Sequence, residues 1–181
     1  HLLTTKERGF SFQEEGPLDM RMDKNLSVTA ANLVNGLYKH ELIYIFEKFG
    51  QERMARRIAH AICRAREVKP IETTEELARI VEKAKKRQGR IHPATQIFQA
   101  LRIAVNDELG SLEKALPQAV ELLASGGRMV VISFHSLEDK IVKRFFREHT
   151  LTKKPITPSE EEIARNPRAS SAKLRIYVSA E

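Results

Sequence analysis

Ser125-Gly126-Gly127-Arg128-Met129-Val130-Val131-Ile132-Ser133-Phe134-His135-Ser136-Leu137-Glu138-Asp139 is the stretch that decides how the rest of the chain is read. The glycine pair permits the left-handed backbone that closes a helix. Residues 129–132 form an unbroken apolar run, which predicts a strand buried on both faces. Ser136 with Asp139 three residues on is a capping-box spacing, which predicts a helix starting there. The strand then delivers Ser133, Phe134, His135 and Ser136 to its carboxyl end, where open α/β sheets bind ligands. Taken alone, the stretch reads as an ordinary βα connection, with Ser136 a cap and His135 a solvated loop residue.

On the amino-terminal side, residues 51–67 give the clearest amphipathic helix. Met54, Ile58, Ile62 and Ala65 form one stripe, and Arg53, Arg57, His60 and Arg64 another, with Arg56 beside it. The apolar stripe is core; the basic one is either a solvated face or a surface for phosphates. Thr73 with Glu76 predicts a further capped helix carrying Leu77, Ile80, Val81 and Ala84, ended by the basic run 83–90. His92-Pro93-Ala94-Thr95 opens another helix, Gly110-Ser111 interrupts it, and residues 112–123 continue as a second helix. Leu18-Asp19-Met20-Arg21-Met22-Asp23 alternates apolar and charged residues, which predicts a half-buried strand with Asp19, Arg21 and Asp23 on one face. That face is either a salt-bridge ladder or a polar site in which Arg21 holds two carboxylates.

On the carboxyl side, residues 137–146 predict a helix, residues 152–158 an edge strand or loop, residues 166–173 a flexible basic loop, and residues 174–178 a final strand. The sum is an α/β chain with too few strands. A lone pair of parallel strands makes no stable sheet, so residues before His1 or another chain would have to complete it.

Composition narrows the function. The 181 residues carry 31 Lys plus Arg against 24 Asp plus Glu, a net charge of +7 that favours a polyanionic partner, nucleic acid first. Tryptophan is absent and aromatics are 6%, against an extended base-stacking platform. No apolar run reaches the roughly 20 residues of a membrane span. The single cysteine, Cys63, excludes an internal disulfide, reads as a buried structural thiol and fits a reducing, cytoplasmic setting. The histidines show no ligand spacing, so no metal is expected. The first residue is His, so translation is expected to begin upstream.

Several segments together resemble the ribosomal small-subunit methyltransferase H family (MraW-like). They are Arg8-Gly9-Phe10-Ser11-Phe12, Gly16-Pro17-Leu18-Asp19-Met20-Arg21-Met22-Asp23, His92-Pro93-Ala94-Thr95, Phe98-Gln99-Ala100-Leu101-Arg102-Ile103, Val105-Asn106, Gly126-Gly127-Arg128, the run from Val131 to Asp139, and Asn166-Pro167-Arg168-Ala169 with Ser171-Ala172-Lys173-Leu174-Arg175. They stand in the family's order across nearly the whole chain. The resemblance implies an α/β, Rossmann-like methyltransferase domain with an inserted all-helical domain. It assigns residues 1–25 and 91–181 to the first and 26–90 to the second. It implies S-adenosylmethionine-dependent methylation of the N4 amine of a cytidine in 16S ribosomal RNA, with the small ribosomal subunit as partner; a homodimer stays open. The family's glycine-rich cofactor turn and ribose-holding acid precede the segment matching Arg8, so no donor-binding residue is assigned in this chain.

A cytosine N4 amine is a poor nucleophile, since its lone pair is delocalised into the ring. An enzyme must orient it and place acceptors around it. The candidates are Asp19, Asp23, Ser133, His135 and Ser136, with Arg21 orienting the carboxylates. Arg53, Arg56, Arg57, Arg64, Arg102, Arg168, Lys173 and Arg175 are the candidate RNA contacts. The alternative is a non-catalytic basic module that binds RNA or the ribosome, a truncated or degenerate methyltransferase.

Overall fold

The turn between the last long helix and the first strand is built on Gly126, whose φ of +70° only glycine adopts freely. In the computed structural model, which describes residues 6–85, 92–147 and 154–179, the chain divides into two units, His1–Glu108 and Leu109–Glu181.

Unit one is helical. Its helices are α1 (Ala30–Gly36), α2 (Lys39–Lys48), α3 (Ala55–Val68), α4 (Thr74–Ala84) and α5 (Thr95–Asn106). The expected cap at Thr73 forms: its hydroxyl accepts from Glu76 N–H while the Glu76 carboxylate accepts from Thr73 N–H. Thr29 caps α1 in the same way with Asn32. Phe46 from α2, Ile58 and Ile62 from α3, Leu77 and Val81 from α4, and Ile97 and Leu101 from α5 share one core. That core takes in α5, so the compact unit runs well past residue 90. Cys63 is half-buried against it.

The segment around residues 18–23 is not a strand. Met20 has φ +62° and is fully buried beside Leu18, so the chain turns back instead of extending. Pro17 bridges Thr73, Leu18 N–H donates to Glu72 C=O, and the Leu18 and Asp19 carbonyls accept from the first turn of α1. Backbone pairing to two helix starts overrides the alternating pattern.

α6 (Glu108–Glu121) begins directly after α5. The break falls at Asp107 (φ +46°), not at Gly110-Ser111, which lie within the helix. Unit two continues with β1 (Arg128–Ser133), α7 (Ser136–Phe145), α8 (Glu160–Arg165), a 3-10 turn over Pro167–Ser171 in place of the expected flexible loop, and β2 (Lys173–Val178). The strands pair antiparallel, Arg128 opposite Val178 and Ser133 opposite Lys173, which corrects the expected parallel pair. Residue 156 of the expected edge strand makes one isolated bridge to Leu174. Residues 86–90 of the basic run, with 91 and 148–153, lie outside the described residues.

β1 is covered on one face only. Met129 and Val131 pack with Leu116, Val142, Phe146 and Tyr177, whereas Val130 and Ile132 are each 54% exposed. The expectation of burial on both faces therefore fails among the described residues, because α6 and α7 supply cover on a single side.

Candidate functional site

Two groups of the expected site residues lie in unit one. Around the turn at Met20, Arg21 Nε and Nη2 grip both carboxylate oxygens of Asp19, at 2.6 and 3.0 Å, while Arg21 Nη1 donates to the Lys24 and Leu26 carbonyls. This bidentate pair holds the Asp19 carboxyl below its ordinary range, chiefly through the Arg21 hydrogen bonds and against the opposing effect of burial. Asp23 is exposed and accepts from Asn25 N–H. Arg21 thus holds one carboxylate and two carbonyls, not two carboxylates.

Two residues not singled out for this site complete the loop. Arg8 donates to the carbonyls of Arg21 and Met22 at 2.9 and 2.7 Å. Asn106 Nδ2 donates to Met20 C=O at 2.8 Å and its Oδ1 accepts from Met22 N–H at 2.7 Å. Both stand in segments that carry the resemblance, but local pattern cannot reveal pairings that span 13 and 14 residues for Arg8 and 84 and 86 for Asn106.

The second group is the basic face of α3, with Arg53 in the turn just before it. Arg53, Arg56, Arg57, His60 and Arg64 are all exposed, and Ile58 and Ile62 opposite them are buried. None of the four arginines meets a carboxylate among the described residues. Arg102 differs: Glu108 takes its guanidinium in a bidentate pair at 2.8 and 3.0 Å.

In unit two, Ser133, His135 and Ser136 lie at the end of β1 as expected, but the helix start is one residue earlier than the spacing implies. His135 is the cap of α7, its Nδ1 accepting from Glu138 N–H at 3.4 Å; the Glu138 carboxylate accepts from Phe134 and His135 N–H. Ser136 is the first helical residue. Ser133 is buried, its hydroxyl 3.4 Å from the Lys173 carbonyl. Asp139, freed from capping, receives Arg175 at 2.7 and 3.3 Å and Lys173 at 3.2 Å. Those bonds, Arg175 first, hold the Asp139 carboxyl below its ordinary range. Arg175 is buried and Lys173 partly so; both brace β2 to α7, whereas Arg168 is exposed.

The profile of the MraW methylase family matches residues 1–151 and 149–179. The chain belongs to this family. Among curated MraW relatives, it is similar to "Ribosomal RNA small subunit methyltransferase H" of Coprothermobacter proteolyticus, with 51% identity over 98% of this chain and 62% of that protein. It is similar to the proteins of that name from Synechocystis sp. (55% identity over 93% and 57%) and Synechococcus sp. (57% over 96% and 56%). The chain therefore spans somewhat over half the length of these MraW relatives. No helix among the described residues is long and apolar enough to cross a membrane.

Proposed function

We propose that this chain is part of an enzyme that methylates the N4 amine of a cytidine in 16S ribosomal RNA, with S-adenosylmethionine as donor. The observation that carries the reading is the family match along nearly the whole chain, joined to relatives named as small-subunit ribosomal RNA methyltransferases. The proposed architecture is a Rossmann-like domain, of which residues 1–25 and 91–181 form part, interrupted by a helical insertion over 26–90.

When bound, the donor supplies an electrophilic methyl on a sulfonium. The residues described do not fit a seat for it. A ribose diol needs a carboxylate with both oxygens open to it, and there Glu138 Oε2 accepts from the Phe134 and His135 N–H groups with Oε1 3.4 Å from His135 Nε2, while Asp139 is taken by Arg175 and Lys173. No donor-holding role is given to them. Their proposed work is on the acceptor side. In unit two, Ser133, His135 and Ser136 at the end of β1 are the acceptor-side residues; in unit one, Asp23 is the acceptor, and Asp19 with Arg21 fixes the loop that carries it. Arg53, Arg56, Arg57 and Arg64 hold phosphates.

The test uses the complete protein, labelled S-adenosylmethionine and small ribosomal subunits lacking the modification. The expected result is label in 16S RNA, recovered as N4-methylcytidine. Donor binding by calorimetry without any transfer would overturn the proposal and return the chain to a non-catalytic RNA-binding module.

A further inference from the structure

A cavity of about 410 Å³ in unit one has no part in the proposed methyl transfer. Its size falls within the roughly 300–1,000 Å³ of small-molecule sites. Glu52 on its wall is 2% exposed, and its charge is met by the Lys85 ammonium, which also donates to Gln96 Oε1 at 3.0 Å. An ammonium has three donors, of which Glu52 and Gln96 take two from Lys85 on the cavity wall. Gln96 and Gln99 are each anchored through the amide nitrogen, to the Gln51 and Phe49 carbonyls at 3.2 and 3.0 Å. Amides fixed in this way hold one orientation, and the N–H and lone pair that each has beyond these bonds match the hydrogen-bonding groups of a nucleobase. Met54 and Pro93 add apolar surface to the same wall.

What lies at the rim points to the ligand. Arg53 lines the cavity and is exposed in the turn just before α3, whose exposed face carries Arg57, His60 and Arg64. From Arg57 to Arg64 this row covers about two turns of α3. Arginines without carboxylate partners among the described residues, leading into a polar cavity, match a single RNA strand with its phosphates on the row and one base turned inward. A base in a duplex has its pairing edge engaged; only an unstacked one can enter. We infer that this cavity receives one unstacked nucleotide of the RNA whose backbone lies along α3. The inference rests on the proposed RNA substrate.

The test measures binding of a single-stranded fragment of 16S RNA to the full-length protein across a salt series. Thr95 is exposed on the cavity wall at the start of α5, so Thr95→Trp fills the space while leaving every arginine in place. It is expected to weaken binding by about tenfold or more, with the slope of log affinity against log salt unchanged, because every cation that meets a phosphate remains. Ultraviolet cross-linking of the wild-type complex is expected to place a nucleotide adduct on residues 51–54 or 92–99. Unchanged affinity in a folded Thr95→Trp protein, or adducts confined to α3, overturns the cavity and leaves the RNA reading standing. If Thr95→Trp does not fold, the adduct map decides alone. Cytidine monophosphate displacing the RNA adduct at equal concentration would make this a mononucleotide site and also overturns the inference. Failure of the wild-type protein to bind the RNA at all overturns the RNA reading instead.

Discussion

Replacing Asp139 with alanine strands the Arg175 guanidinium in the core of unit two. Arg175 is 5% exposed, with Asp139 as its carboxylate partner. Breaking a buried pair by removing one member costs about 3–5 kcal/mol, since the remaining charge stays buried and unpaired. Urea unfolding of Asp139→Ala is expected to show a loss of that order; a loss below about 1 kcal/mol would mean that Arg175 finds water. The same pair sets a pH dependence. The Asp139 carboxyl titrates below its ordinary value in the folded protein, so its stabilising contribution is complete above about pH 3.9. It fades as pH falls through the lowered folded value. Glu76, drawn down from 4.5 to about 2 by Lys69 and by the backbone N–H groups it caps, adds a loss across that interval. Melting temperatures recorded from pH 6 to pH 2 are expected to fall below pH 4.5, and Glu76→Gln to flatten the upper part of the decline.

At the scale of elements, the turn at Met20 is tightly constrained. A Cβ at Gly9 would lie 2.0 Å from the Pro17 carbonyl oxygen, and Gly9 has φ +66°. Gly9→Ala is therefore expected to displace the Pro17 backbone and cost several kcal/mol in urea unfolding, more than the roughly 1 kcal/mol usual for a point substitution. Asn106→Ala removes the partner of the Met20 carbonyl and of the exposed Met22 N–H, at about 0.5–1.5 kcal/mol. If the loop presents Asp23 to the RNA base, Asn106→Ala also lowers kcat for methyl transfer more than it raises KM. These elements divide sharply in how far they were legible. Helices α3 and α4 could be read because their apolar residues recur at 3.6-residue spacing and Thr73 and Glu76 sit at cap spacing. The 18–23 segment could not. Its alternation is that of a strand, and the bonds that bend it come from Arg8, Asn106 and the start of α4. At α7 the spacing of Ser136 and Asp139 is that of a capping box, but His135 and Glu138 have the same spacing, and a buried Arg175 claims Asp139. Sequence put Ser133, His135 and Ser136 at the end of a strand, where they are; it could not assign the hydrogen bonds there, because competition between adjacent registers is settled by tertiary partners.

At the scale of the molecule, a charge of +7 favours a polyanionic partner without saying which cations would meet it. The cations differ in their surroundings. Arg57 and Arg64 stand exposed on α3 with no carboxylate partner among the described residues, whereas Arg102 is held by both oxygens of Glu108. Arg57→Gln and Arg102→Gln remove the same formal charge, so a purely global attraction would weaken RNA binding equally in both. Local pairing with phosphates makes them differ. Each phosphate of a single strand left without its cation reduces the salt slope by about 0.7. The double variant Arg57→Gln/Arg64→Gln is therefore expected to lower that slope by about 1.4 for the full-length protein bound to a 16S RNA fragment. Arg102→Gln is expected to leave the slope unchanged and instead lower the melting temperature, because Glu108 loses its partner. Equal slopes for Arg57→Gln and Arg102→Gln would show that the field of the whole protein, not the face of α3, holds the RNA.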